Sequence, residues 1–311
     1  MKKLLILLCL LALPFALATA EEAETVTFGN LSFSKDATYI DLGDQVVDNW
    51  NTFYAFLNQL PKLEKVDMFA TTVEKKDINN LVEKFPQIKF GWTIHIIRDH
   101  YIRTDQTAFS TLHGSCPEHY SRDLEVLKYC TELRALDIGH NDLTDISFLK
   151  DLTKLRVLIL ACNPRLRDIT VLSNLKDLEY LELFSCDIRN ITALEGLDRL
   201  MDLNIAYNNI YRYSLSGLTN LKKLWIPQSG SPGYYDNWKQ LEKDLPNTTI
   251  MNKGHPTNYG WREGNHYETI YTMFRGTEYI PFEDSYPLEE ESEAEENTGL
   301  PTESIGANIG A

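Results

Sequence analysis

Four residues in the first half of the chain have side chains that bind metal ions: His113, Cys116, His119 and Cys130. Imidazole and thiolate groups are the ligands that zinc prefers, and four of them complete a tetrahedral site. The H-x2-C-x2-H spacing is not that of the familiar zinc fingers, and a proline interrupts it. We therefore interpret this segment as a loop and predict neither a metal nor another cofactor, with zinc as the alternative.

Two acidic residues, Asp137 and Glu182, could act as a pair, because paired carboxylates catalyse glycoside hydrolysis. The strands predicted below place them in one column, two strands and about 9–10 Å apart. An acid catalyst needs a raised pKa and a dry pocket, and an open sheet face offers neither. We interpret both as solvated carboxylates and predict that the protein is not an enzyme. A glycan-acting hydrolase is the remote alternative.

Both acids lie within copies of a repeated sequence pattern, L-x-x-L-x-L-x-x-N. Its copies begin at Leu133, Leu155, Leu178, Leu200 and Leu221, in steps of 21 to 23 residues. A fixed period of this length with leucine in these slots is the signature of a leucine-rich repeat solenoid.

The apolar slots of each copy predict a short strand. The fourth and sixth slots, such as Leu136 and Ile138, alternate with polar positions and should point inward. The ninth slot should also turn inward and hydrogen-bond backbone groups that the turning chain would otherwise leave unpaired. The residues in this slot are Asn141, Asn163, Cys186 and Asn208.

The second half of each repeat is short and reads LTDISFL, LRDITVL and IRNITAL in the first three copies. It has room for about one helical turn, of the tighter 3₁₀ type. The pattern resembles the internalin-like class of bacterial leucine-rich repeats. The fourth copy, residues 210–215, is one residue shorter, so we expect a distorted turn there.

The remaining strand slots form a concave face on which large aromatic residues stand beside acids. Aromatic rings bury much area at little entropic cost and therefore suit a binding surface. The alternative is that they only stack across strands and stabilise the sheet. The residues that we predict to bind a ligand on this face are Asp137, His140, Tyr180, Glu182, Phe184, Asn204, Tyr207 and Trp225.

Both ends of a solenoid must be sealed, because each repeat exposes its core to the next. Upstream, strands at residues 39–42, 63–68 and 88–90 resemble longer repeats, with helices at 53–60 and 78–85 and a hairpin at 92–104. Downstream we predict a helix ending at Asp244, a closing strand at 248–251 and a helix at 267–275. We expect the aromatic residues of this last region to cover the final repeat.

The chain begins with two lysines, an apolar run and a small-residue site ending at Ala20, which is typical of a secretory signal peptide. We expect cleavage there, export, and no integral membrane segment afterwards. The net charge of −15 argues against nucleic acid as a partner. Residues 283–303 hold nine acids and no base, which predicts a disordered acidic tail.

Disulfides are permitted in an exported chain, but four cysteines remain after cleavage and the framework is sparse. Cys162 and Cys186 occupy slots that face opposite ways, so we do not expect them to be bridged. Cys116 with Cys130 is the more credible pair.

We therefore predict an α/β fold: a leucine-rich repeat solenoid with a curved parallel sheet, a convex side of 3₁₀ turns or short helices, and capping regions at both ends. The whole chain resembles the secreted leucine-rich repeat proteins widespread in gut Firmicutes. We predict a non-catalytic binding protein with a protein, peptide or glycan partner outside the cell; a structural envelope scaffold is the alternative. The predicted segments are a signal peptide (1–20), an amino-terminal cap (21–132), repeats (133–229), a carboxyl-terminal cap (230–283) and the acidic tail (284–311).

Overall fold

A computed structural model describes residues 24–97, 100–112, 119–211, 215, 217–228, 238–257, 261–262 and 265–281. Several predictions from the sequence lie outside these residues: the signal peptide, the acidic tail, most of the distorted fourth turn, and His113 and Cys116 of the alternative zinc site. Among the helices that are described, none has the length and apolar character needed to cross a membrane.

Seven short parallel strands form the main sheet, and their register confirms the repeat frame. Leu136, Leu158, Leu181, Leu203 and Leu224 are paired in one row across neighbouring strands. The first strand of this sheet, Ala108–Ser110, was not predicted. The strands are β7 (Ala108–Ser110), β8 (Ala135–Asp137), β9 (Val157–Ile159), β10 (Tyr180–Glu182), β11 (Asp202–Asn204), β12 (Lys223–Trp225) and β13 (Thr249–Met251).

A second sheet of four strands precedes the main one, as the upstream pattern predicted. Ile40, Val66 and Phe90 are in register on three parallel strands, and the fourth strand returns antiparallel. A separate hairpin, β1 (Thr25–Phe28) and β2 (Leu31–Ser34), was not predicted. The four strands are β3 (Tyr39–Asp41), β4 (Lys65–Val73), β5 (Lys89–Ile97) and β6 (His100–Arg103).

Helices and 3₁₀ turns connect successive strands, and a last helix follows the final strand. The two upstream helices begin three residues earlier than predicted; the first is capped by the Asn49 side chain, which accepts a hydrogen bond from the Thr52 N–H. The helices are α1 (Trp50–Leu57), α2 (Lys75–Lys84), α3 (Ser121–Leu124), α4 (Trp238–Asp244) and α5 (Asn265–Arg275). The 3₁₀ turns are Glu125–Tyr129, Ser147–Asp151, Thr170–Asn174 and Thr192–Leu194.

The leucines of successive repeats share one buried core. Leu136, Leu158, Leu181 and Leu203 are fully buried within a cluster that runs from Val26 to Leu245. The strands are only three residues long, so burial of their inward side chains rather than strand propensity stabilises the coils.

The ninth slot performs the role predicted for it. The Asn163 side chain accepts a hydrogen bond from the Leu143 N–H and donates to the carbonyls of Ile138 and Leu160. Cys186 replaces the amide and makes weaker contacts, with its Sγ 3.4 Å from the Leu160 carbonyl oxygen. Each turn is therefore closed by a buried side chain.

The three described cysteines are free thiols. Cys130 is fully buried, and burial raises the pKa of its thiol. It is therefore not half of the bridge to Cys116 that the sequence made more credible. Because it faces the leucine core, Cys130 packs there as a small apolar side chain.

Candidate functional site

The concave face of the main sheet is covered by the carboxyl-terminal part of the chain. We call described residues 252–257, 261–262 and 265–281 the C-terminal cover. Its backbone joins the sheet edge, where the Thr277 carbonyl accepts hydrogen bonds from the amides of Thr107 and Ala108 at 3.2 and 3.1 Å. The cover was predicted to seal the last repeat; instead it lies across the strands.

A second apolar core fills the space between the cover and the sheet. Trp261 lies between two predicted ligand-binding aromatics, with its ring centroid 5.3 Å from that of Tyr180 and 5.2 Å from that of Trp225. Burying each such large side chain contributes about 1.5–3 kcal/mol. The core includes Ala135, Val157, Ile159, Tyr180, Phe184 and Trp225 from the strands and Trp261, Ile270, Met273 and Phe274 from the cover.

This arrangement corrects the expectation of a solvated concave face. The physical reason is the apolar spacing at Ile270, Met273 and Phe274 on α5, which needs a partner surface and finds it on the strands. Of the eight residues predicted to bind a ligand, His140 is exposed and Tyr207 is partly buried. The other six are buried: Asp137, Tyr180, Glu182, Phe184, Asn204 and Trp225.

Glu182 is the polar centre of the covered face. Its carboxylate, 0% exposed, pairs with the Arg262 guanidinium at 2.5 Å and accepts a hydrogen bond from the Trp261 indole N–H at 2.8 Å. The Tyr180 hydroxyl donates to it as well. Burial works to lower the pKa of Arg262, but the charge of Glu182 and the hydrogen bond to it prevail and raise that pKa. The pair is a buried charge contact between sheet and cover.

Further polar contacts fix the cover along the neighbouring strand. The His266 imidazole Nδ1 lies 2.8 Å from an Asp202 carboxylate oxygen, and both side chains are buried. The Asn204 amide donates to the Pro256 carbonyl at 2.7 Å. Asn204, which the sequence predicted to bind a ligand, is therefore engaged by the chain itself, and so is its neighbour on the strand, Asp202.

Asp137 was interpreted as a solvated carboxylate, and the structure corrects this too. It is 3% exposed, accepts hydrogen bonds from the Gly139 N–H and the Ser110 hydroxyl, and has no ion pair with any residue that is described. Burial, with the nearby charge of Glu182, raises the pKa of Asp137 to about 7. A raised pKa is what an acid catalyst needs, but the cover seals this carboxyl group and Glu182 from solvent.

The first sheet, in contrast, presents side chains to solvent. We call Tyr39, Lys65, Phe69, Tyr101 and Arg103 the open face. Tyr39 is 49% exposed and Tyr101 is 50% exposed. The Lys65 ammonium lies 5.0 Å from the Tyr39 ring centroid, and the Arg103 guanidinium lies 4.2 Å from that of Phe69. The sequence predicted strands here, but none of these residues was among the predicted site residues.

Asp67 and Gly91 hold the open face in place. The Asp67 carboxylate accepts from the Tyr39 hydroxyl at 3.0 Å and from the Lys65 ammonium at 2.8 Å. The hydrogen bond to Asp67 raises the pKa of Lys65, which keeps it charged. Gly91, in register with Asp67, leaves the space that Asp67 and the Phe69 ring occupy. The aromatic and basic side chains are thus preorganised.

The described part of the alternative zinc site does not form a cluster of metal ligands. His119 is buried, with its Nε2 3.2 Å from the Nδ1 of His100. Within the described residues, no group of three or more histidine, cysteine, aspartate or glutamate side chains is arranged to hold a metal ion.

Comparison with known families supports the repeat assignment. Residues 131–174 match the family model for leucine-rich repeats in two copies. No curated protein matches the chain at a significant level. Leucine-rich repeat proteins generally mediate protein binding.

The solved structures to which the chain shows similarity include three bacterial leucine-rich repeat proteins. An internalin (inlF) of Listeria monocytogenes is 19% identical over 64% of this chain and 65% of its own, with a TM-score of 0.40. Internalin C2 of the same organism is 17% identical over 71% of this chain and 85% of its own, with a TM-score of 0.37. A leucine-rich repeat protein of Leptospira interrogans is 16% identical over 63% of this chain and 56% of its own, with a TM-score of 0.35.

Proposed function

We propose that this protein is an exported, non-catalytic binding protein that recognises a protein partner through the open face. The observation that carries the proposal is the contrast between the two sheets. The cover buries the aromatic residues of the main sheet, whereas Tyr39 and Tyr101 on the first sheet remain half exposed. Binding by an uncovered sheet face needs no movement of the cover.

The chemistry of the open face favours a protein partner. Two cation–π pairs, Lys65 with Tyr39 and Arg103 with Phe69, place positive charge on aromatic rings. Tyrosine and arginine are enriched among the residues that dominate binding energy in protein interfaces. Each cation is also paired with a carboxylate, Lys65 with Asp67 and Arg103 with Asp105, both at 2.8 Å. The open face therefore offers ordered aromatic and hydrogen-bonding groups to a partner.

Two further features support the rest of the proposal. The predicted signal peptide at residues 1–20 supports export and action outside the cell. Sealing of Asp137 and Glu182 under the cover supports a non-catalytic role. Under this proposal the cover is held by five of the buried concave residues, namely Tyr180, Glu182, Phe184, Asn204 and Trp225. Tyr207 also contacts the cover, because its hydroxyl donates to the Gly254 carbonyl at 3.4 Å. Exposed His140 remains available to contact a partner.

The test compares how well the wild type and open-face variants bind proteins that the wild type captures. The full chain is immobilised and exposed to extracts of a gut bacterial community and of host epithelial cells. Proteins retained by the wild type are then titrated in purified form against Tyr39→Ala and Lys65→Glu. We expect each variant to weaken binding by at least tenfold, because each removes one member of a preorganised pair.

The matched control is Tyr211→Ala, which removes a tyrosine that is 65% exposed but lies outside the open face. It should bind like the wild type. Equal loss in the control and in the open-face variants would contradict the proposal. So would a purified partner whose affinity is unchanged by both open-face variants, or binding to a glycan panel in the absence of any protein partner.

A further inference from the structure

A cleft of about 320 Å³ lies where the first sheet ends and the main sheet begins. Its lining residues come from β6, from β7 and the turn before it, and from the end of α5 and the residues after it. The residues that matter for its chemistry are Tyr101, Gln106, Phe109, Ser110, Phe274 and Arg275. None of the predicted site residues contributes to it.

Two groups in the cleft have hydrogen-bond donors to offer. The Gln106 side-chain oxygen accepts the Arg103 backbone N–H at 2.7 Å, which leaves the amide NH₂ as the free end. Arg275 is exposed, stacks on Tyr271 at 5.4 Å, and pairs with no carboxylate among the described residues. The Ser110 hydroxyl, in contrast, already donates to Asp137 and accepts from the Leu112 N–H. The two groups in the cleft that remain available, the Gln106 amide NH₂ and the Arg275 guanidinium, are thus both hydrogen-bond donors, and the guanidinium carries positive charge.

The remaining lining is largely aromatic. Phe109 and Phe274 are buried and form the floor, and half-exposed Tyr101 stands at the rim. An aromatic floor beside a guanidinium and an amide NH₂ complements an apolar group that carries a carboxylate. A neutral polar ligand would leave the guanidinium without a charged partner.

We propose that this cleft captures the carboxyl-terminal residue of a polypeptide, with the α-carboxylate bound by Arg275 and Gln106 and the apolar side chain packed on Phe109 and Phe274. This inference rests on the proposed function, in which the partner is a protein. Tyr101 belongs to both the cleft and the open face, so one partner can reach both.

A second cleft provides room for the residues that precede the carboxyl terminus. It has a volume of about 430 Å³, is lined by Arg103, Asp105 and Tyr279 among others, and shares Gln106 and Thr277 with the first cleft. A free small acid would use only the first cleft. A polypeptide gains contacts in both, which is why we assign the site to a chain end.

The experiment uses the full chain and three probes. The first is the tetrapeptide acetyl-Gly-Ser-Gly-Phe with a free carboxyl group, the second is the same peptide as its carboxamide, and the third is 3-phenylpropionate. Binding is measured by calorimetric titration and by ligand-observed NMR. We expect the free-carboxyl peptide to bind at least tenfold more tightly than the other two probes. Arg275→Gln should weaken binding of the free-carboxyl peptide by at least tenfold, because it removes the positive charge. The isosteric Gln106→Glu should also weaken this binding by at least tenfold, because it presents an acceptor to the peptide carboxylate.

The control variant is Arg134→Gln, because Arg134 is also exposed and lies near Tyr279 but lines neither cleft. It should change the peptide affinity by less than twofold. Equal affinity for the carboxamide, equal affinity for 3-phenylpropionate, or no peptide binding at millimolar concentration would each overturn the inference. In those cases capture of a protein by the wild type, lost on Tyr39→Ala, would still support the proposed function.

Discussion

Asp137 is a buried carboxyl group with hydrogen-bond partners but no cation in ion-pair distance among the described residues. Its pKa of about 7 in the folded protein exceeds that of an unfolded aspartate, so the folded state favours the neutral acid. Ionisation therefore opposes folding. The resulting loss of stability grows as the pH rises from about 4 to about 7 and is constant above that range.

We predict that Asp137→Asn stabilises the protein at neutral and alkaline pH. The amide keeps an acceptor for Gly139 and cannot ionise, so the gain should be on the order of 2–4 kcal/mol at pH 8 and close to zero at pH 4. Urea unfolding of the variant and the wild type at pH 4, 6 and 8 measures the difference. Asp168→Asn is the control, since that exposed carboxylate has a pKa lowered by hydrogen bonds to Thr170 and should give no such gain.

Gly91 is required by the side chains of the neighbouring strand. A Cβ atom at this position would lie 2.4 Å from an Asp67 carboxylate oxygen and 2.7 Å from the Phe69 Cζ. We predict that Gly91→Ala destabilises the protein by about 1–3 kcal/mol through overpacking and also weakens partner binding, because Phe69 must move. Gly217→Ala, where a Cβ meets nothing within 4 Å, should have little effect in the same thermal unfolding assay.

At the scale of single residues, the sequence predicted correctly which side chains point inward, but the expectation that the outward ones are solvated was wrong for six of the eight predicted site residues. Alternation fixes which side of a strand Leu136 and Tyr180 face, because that depends on the backbone alone. What lies over that face depends on residues far away in the chain. For Tyr180 the partner is Trp261, and no local pattern connects the two.

The eighth slot of each repeat is an element-scale feature that the sequence did not reveal. His140, Cys162, Ser185, Tyr207 and Gln228 all have positive φ angles, between 53° and 59°. The left-handed conformation costs about 1–2 kcal/mol for a residue with a side chain. The turn after each of the strands β8 to β12 needs it, so the repeat geometry overrides the preference of five different residue types.

We therefore predict that His140→Gly stabilises the protein by about 1 kcal/mol, since glycine adopts this conformation without strain. His140 is exposed, so little packing is lost. Chemical denaturation of the variant should show a higher midpoint with an unchanged slope. His140→Ala, which removes the imidazole but retains a Cβ, should show no gain; an equal gain in both variants would attribute the effect to the side chain instead.

Elements with a strong local signal were predicted well. The register of Ile40, Val66 and Phe90, the 3₁₀ turns and the helix ending at Arg275 all follow from apolar spacing and turn residues. Strand β7 was missed because its three residues, Ala108–Ser110, carry too few apolar positions to show a period. Its place in the sheet is fixed by pairing with β8 rather than by its own sequence.

At the scale of the whole molecule, the chain folds back so that its carboxyl-terminal part and its repeats share a second core. This contact joins residues as far apart as Thr107 and Thr277, and it brings Arg262 to Glu182. Periodicity cannot predict such a return, because the repeats specify only the contact between neighbouring coils. The sequence contains both members of the ion pair between Glu182 and Arg262, but many other acidic and basic residues could have paired instead.

The pair of Glu182 and Arg262 should couple the cover to the sheet, and a double-mutant cycle tests this. Arg262→Met leaves the fully buried Glu182 carboxylate without its charge partner and should cost about 3–5 kcal/mol. Glu182→Met leaves the partly exposed Arg262 unpaired and should cost less, and the double variant should cost less than the sum of the two. Hydrogen exchange should show that the single variants lose protection in α5 before they lose it at Leu158 and Leu181. The exposed pair of Arg167 and Asp187, 2.6 Å apart, is the control, with an expected coupling below about 1 kcal/mol. Additive costs at Glu182 and Arg262 would mean that the apolar core alone holds the cover in place.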